Sequence, residues 1–164
     1  MKKLFLSFLL VIAGIFCVHA EPLILIYRGN STYQGDCVAT YKDGRLYRGN
    51  STYQGDCIAT FQKGKVYKGN STYQGDCAST YERDRFYKGN STYQGDCVAT
   101  YKEGKLYRGN STYQGDCFAT YSDRKLYRGN STYQGDCVFT FSSDVRYSPA
   151  LIAWIAYHYF QVLF

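Results

Sequence analysis

The sequence predicts an all-β protein of six tandem 20-residue β-hairpin repeats, closed as a ring or stacked as a short solenoid, with one apolar C-terminal helix. Three observations carry this expectation. The string GNSTYQGDC occurs six times without a change, at a constant period of 20, from Gly29–Cys37 to Gly129–Cys137. Between copies run short β-branched and aromatic segments. After Tyr147 the repeats stop and the chain becomes almost continuously apolar.

The 164 residues suit one domain, divided as 1–20 leader, 21–147 repeat domain and 148–164 apolar segment. Met1 to Ala20 reads as a secretory signal peptide. Lys2 and Lys3 lead it, Leu4 to Phe16 form its apolar region, and Val18-His19-Ala20 offers a small-x-small cleavage site. The bulky Phe16 before Cys17 argues against lipoprotein processing. A short Lys-led leader has a bacterial look, so the expected location is the periplasm or the cell exterior, where disulfides are permitted.

Within a unit, Cys37-Val38-Ala39-Thr40-Tyr41 reads as a strand. Asp43-Gly44 then signals a hairpin, because both residues tolerate positive φ. Arg45-Leu46-Tyr47-Arg48 reads as the return strand. Two units lack the turn Gly, with Arg83-Asp84 and Asp123-Arg124 in its place, so the turn is not expected to keep one type. Gly49 to Thr52 reads as a turn, and Gly55 as a bulge or second turn. Comparing units with one another marks the core. Residue 38 and its equivalents run Val, Ile, Ala, Val, Phe, Val, and residue 26 and its equivalents run Ile, Leu, Val, Phe, Leu, Leu. Both positions stay apolar while changing size. Tyr41, Phe61, Tyr81, Tyr101, Tyr121 and Phe141 form an aromatic ladder. The half-units at the two ends either pair to close a ring or cap a solenoid.

Ser148-Pro149 is a helix start, and Ala150 to Phe164 is apolar apart from His158 and Gln161. The expected role of 150–164 is a helix that plugs the β core. Membrane attachment through the same residues and a terminal outer-membrane strand are the alternatives.

Six cysteines share one repeat position: Cys37, Cys57, Cys77, Cys97, Cys117 and Cys137. An even count in an oxidising compartment suggests disulfides. A spacing of 20 lacks the short paired-Cys element of a metal site, and no metal or cofactor is expected. Asn-Ser-Thr is a glycosylation sequon in each unit, but the turn role of Asn explains it in a bacterial chain.

Charge offers the candidate binding residues. Nineteen Lys plus Arg against 13 Asp plus Glu give +6; without Lys2 and Lys3 the balance is 17 against 13, or +4. That favours polyanions without choosing among them, and no nucleic-acid signature accompanies it. One basic row is Arg28, Arg48, Lys68, Lys88, Arg108 and Arg128. A second is Arg45, Lys65, Arg85, Lys105 and Lys125. Tyr33, Tyr53, Tyr73, Tyr93, Tyr113 and Tyr133 recur beside them. Stacked units turn these into stripes of cation and aromatic suited to an envelope polysaccharide or another polyanion; the competing account is a solvated face neutralised by Asp36 and its copies. No phosphate loop or nucleophile–base constellation is visible, and His158, in an apolar segment, reads as a core residue. A non-enzymatic binding or structural protein of the cell envelope is therefore expected.

The units from Tyr47-Arg48-Gly49 to Tyr67-Lys68-Gly69 resemble small exported bacterial proteins made of tandem GNSTY-type β-hairpins, the β-flower-like families. The resemblance covers about residues 23 to 147 and implies radial or ring-like hairpins with an apolar C-terminal helix. A weaker likeness to MORN repeats rests on the Tyr-x-Gly opening and the Asp-Gly turn. Neither likeness implies a catalytic residue.

Overall fold

The computed structural model describes residues 23–162, with side chains through His158. The predicted leader and its cleavage site, Cys17 and the last two residues lie outside the described residues. Each full unit supplies a longer and a shorter strand. They are β1 (Ile24–Arg28), β2 (Cys37–Lys42), β3 (Arg45–Arg48), β4 (Cys57–Gln62), β5 (Lys65–Lys68) and β6 (Cys77–Glu82). The rest are β7 (Arg85–Lys88), β8 (Cys97–Lys102), β9 (Lys105–Arg108), β10 (Cys117–Ser122), β11 (Lys125–Arg128) and β12 (Cys137–Phe141). A single helix, α1 (Pro149–Val162), follows.

The twelve strands close into an antiparallel barrel in which β1 pairs with both β2 and β12. The ring, not the solenoid, is the architecture, and the sheet has no free edge. Five hairpins are contiguous in sequence. The sixth is assembled from the chain ends, and its register repeats that of the others. Within β2–β3, Ala39, Thr40 and Tyr41 face Arg48, Tyr47 and Leu46. Across the seam, Phe139, Thr140 and Phe141 face Arg28, Tyr27 and Ile26. Thr40 Oγ1 donates to the Gly49 carbonyl at 2.7 Å, and Thr140 Oγ1 donates to the Gly29 carbonyl across the seam, also at 2.7 Å.

Strand alternation makes two buried layers. The inner face carries Ala39, Tyr41, Leu46 and their equivalents, which, the polar Ser79 apart, lie in the core cluster with α1 or pack against it. A bulge between Cys37 and Ala39 turns Val38 toward that core as well. The expected core positions and aromatic ladder are thus placed; Tyr41–Phe61 and Tyr121–Phe141 meet edge to face at 5.6 Å. On the outer face lie Thr40, Tyr47 and their equivalents, buried although the sheet separates them from the core. The 49–56 loop and its copies cover this face: Tyr27, Asn30 and Thr32 border one cleft with Asp123, Arg124 and Lys125 of the adjacent turn.

All five turns take the same form, which differs from the sequence expectation. Both central residues have positive φ in every case, 49° and 71° at Asp43-Gly44, 49° and 63° at Arg83-Asp84, 48° and 62° at Asp123-Arg124. That is the I′ geometry which matches strand twist. Every turn, with or without Gly, is held by the same bond to the next unit. The Asp84 carbonyl accepts from the Tyr101 amide at 2.7 Å and the Arg124 carbonyl from the Phe141 amide at 2.8 Å.

α1 begins at Pro149, as expected. Leu151 to Ala156 are consecutive, at most 7% exposed, and together face every direction around the helix. The helix therefore stands inside the ring as a plug. Trp154 packs edge to face on Phe61 and Phe86 at 6.4 and 6.3 Å. This overturns the membrane-anchor alternative: no helix among the described residues is long and apolar enough to cross a membrane. The terminal-strand alternative falls too, since the segment is helical through Val162. His158 is not a core residue. It is exposed, with its imidazole 3.7 Å from the Trp154 ring centroid, and partial burial lowers its pKa.

The segment between β12 and α1 is clamped to the turn end of the ring. The Tyr121 hydroxyl donates to Asp144 at 3.0 Å and accepts from the Val145 amide at 2.9 Å. Asp144 also pairs with Arg146. Burial pushes the Tyr121 phenol well above its ordinary pKa, and Asp144 beside it adds to the shift.

Candidate functional site

The nine invariant residues build one loop, six times. Gly49 has φ +61° and its amide donates to the Val38 carbonyl at 2.8 Å, which reverses the chain after β3. Ser51 Oγ donates to Asp56 Oδ2, at 2.5–2.6 Å over the six copies, and accepts from the Tyr53 amide at 3.0–3.1 Å. Gln54 to Asp56 form a single 3-10 turn, with the Asp56 amide on the Tyr53 carbonyl at 2.9 Å. A turn, not a bulge, is therefore what Gly55 supplies.

Gly55 has a second duty. A Cβ there would stand 2.7 Å from Cε1 of Tyr53, and 2.6–2.8 Å from the equivalent ring in the other loops. The phenol ring thus lies on bare glycine backbone. Its other face is open: Tyr33, Tyr53, Tyr73, Tyr93, Tyr113 and Tyr133 are each 73–74% exposed. Six oriented, solvent-facing tyrosines therefore ring the outside of the barrel. The Ser–Asp bond and the Tyr-on-Gly contact carried no distinct sequence signal beyond the invariance of the string.

The basic row Arg28, Arg48, Lys68, Lys88, Arg108 and Arg128 is exposed at the ends of the short strands. It pairs with inward-facing positions, as in Ala39↔Arg48, and the Arg108 guanidinium lies 6.0 Å from the Phe118 ring centroid. These cations therefore circle the mouth of the ring opposite the turns, while the tyrosines lie on the outer loops. In place of the stripes of cation and aromatic expected from the sequence, the cations sit at the strand ends and the tyrosines on the loops. In the second row, Arg45 is exposed while Lys65, Arg85, Lys105 and Lys125 are half-buried. The Asp36-type carboxylates are bound to their own loop serines.

The cysteines do not form the disulfides expected of them. All six are free and half-buried, and each Sγ donates to the carbonyl two residues on, at 3.5–3.6 Å. Geometry explains this. Equivalent cysteines lie two strands apart, about 9–10 Å across a sheet, whereas a disulfide needs about 4.4–6.8 Å between Cα atoms. Each cysteine instead begins a strand flanked by two basic residues; Arg28, Arg128, Asp136 and Cys137 border one open cleft. No group of three or more His, Cys, Asp or Glu suited to a metal occurs among the described residues.

A family model described as a 6-fold beta flower protein matches residues 26–154. No curated protein and no solved structure matches the chain. The match spans all six repeats and reaches into α1, and the closed ring of six hairpin units agrees with the six-fold symmetry in that description. The chain belongs to the 6-fold beta flower family.

Proposed function

We propose that this is a non-enzymatic, multivalent binding protein of the bacterial cell envelope, exported by its leader, and that its ligand is an acidic envelope polysaccharide. The observation that carries the reading is the six-fold display of one exposed aromatic loop beside a circle of six cations. Six equal contacts suit a ligand that itself repeats, because linked weak contacts multiply into avidity. The cations suit negative charge along such a polymer.

Washing native envelopes with rising salt tests this. Release of the protein by salt, at a lower concentration once Arg48, Lys68, Lys88 and Arg108 are changed to Ala, is expected. Retention through high salt with release only by detergent, or indifference to the four substitutions, would overturn the charge-based attachment.

A further inference from the structure

We infer that the four outward residues of each loop, Asn50, Thr52, Tyr53 and Gln54 and their copies, form six identical subsites for neutral sugar rings, distinct from the cationic circle at the mouth. The inference deepens the reading above and rests on it: it assigns the sugar-reading part of polysaccharide binding to the outer loops.

Two observations lead here. First, divergence among the units is inverted. Exposed loops ordinarily vary more than the elements they join. In this chain the buried position 46 and its equivalents vary and the turns vary, as in Asp43-Gly44 against Arg83-Asp84, while the exposed loop is identical six times. Recent duplication alone would have kept strands and turns as uniform as loops. Second, the fold explains only part of the invariant string. Gly49 is needed for positive φ, Ser51 and Asp56 for their bond, and Gly55 for the ring lying on it. Asn50, Thr52, Tyr53 and Gln54 are exposed in all six loops, and their side chains make no hydrogen bond among the described residues.

Their chemistry is that of sugar recognition. An aromatic ring fixed on one face and open on the other is a stacking platform for the apolar face of a pyranose. Two amides and a hydroxyl supply donors and acceptors for neighbouring sugar hydroxyls. None of the four carries charge, so the contacts they themselves offer are those a neutral ring can use. Adjacent loops repeat every two strands, about 9–10 Å at the sheet and more outside it, so one glycan chain running around the girdle meets several subsites.

Affinity electrophoresis of the folded protein through α-glucan, β-glucan, mannan and soluble chitin oligomers tests this, in about 1 M salt, where screening acts beyond about 3 Å. Retardation by at least one glycan is expected. It should weaken less than about tenfold for Tyr53→Ala and about 100-fold or more when all six tyrosines are changed. A second variant, Gly→Ala at Gly35, Gly55, Gly75, Gly95, Gly115 and Gly135, keeps the tyrosines and pushes their rings aside; it should lose retardation with an unchanged melting temperature. No retardation by any of the four glycans, or retardation unaffected in both variants, would overturn the inference. A protein that instead binds isolated envelopes and polyglutamate in a salt-sensitive way would refute these subsites and keep the cationic reading.

Discussion

The inner wall and the outer girdle of this barrel obey opposite rules. Inside, side chains change from unit to unit while burial stays constant: Ile26, Leu46, Val66, Phe86, Leu106 and Leu126 are all at most 1% exposed. Outside, the residues never change and the tyrosines remain about three-quarters exposed. The inner wall must fit an asymmetric object, one helix, into a six-fold lumen. Variation there is therefore packing: the large Phe86 is matched by the small Ala78 and Ser79 of its own unit and receives Trp154. The girdle meets no such object among the described residues, and the proposed glycan subsites are what would account for its uniformity.

The largest effect should come from emptying the lumen. Trp154→Ala removes a buried indole that touches two units, and should cost about 3–5 kcal/mol in denaturant unfolding. The six-fold Tyr→Ala variant of the girdle should stay within about 0.5 kcal/mol of the parent, since surface substitutions away from packed features do little. Equal losses in the two variants would erase the distinction between wall and girdle.

An intermediate effect is expected where the plug is tied to the wall. Tyr121→Phe strips the Val145 amide of its acceptor in a buried setting, for about 1–3 kcal/mol. The same phenol, with Tyr81, has a raised pKa, chiefly through burial, so each is neutral in the fold. The neutral form is favoured by folding. This contribution is therefore complete below the unfolded value of about 10 and is lost as pH rises above it. A melting temperature that falls steeply above about pH 10, and less steeply in Tyr121→Phe, checks both statements.

The smallest effect has the opposite sign. Ser79 Oγ is a buried side-chain polar atom with no partner among the described residues, at a position where four other units place Ala. Ser79→Ala should stabilise by about 1 kcal/mol. A loss of stability would show that the hydroxyl has a partner of consequence.

Much of this was legible in the sequence. The period marked the units, Asp43-Gly44 marked where the hairpins turn, and Ser148-Pro149 marked the helix start. What was not legible depends on neighbours. Arg83-Asp84 adopts the glycine turn with its carbonyl held by the Tyr101 amide, a contact between units that every turn repeats. Tyr47 and Thr40 look like solvent-side strand residues until the returning loop covers them. The cysteine count argued for disulfides, and only strand order shows the thiols too far apart to pair. The two circles, rim and girdle, depend on which way Gly49 turns the chain; residue spacing placed Arg48 and Tyr53 close together.

The seam between β1 and β12 also governs the order in which the molecule assembles. Five hairpins are local and close on a microsecond scale. The sixth joins residues 111 apart, and the plug comes later still in the chain. Until Cys137 to Ala156 arrive, β1 remains an open edge and the apolar wall an empty cleft, which is the state most exposed to wrong pairing. A chain that emerges N-terminus first therefore completes its ring and its core in a single late step, set by the slow loop closure that non-local pairing requires.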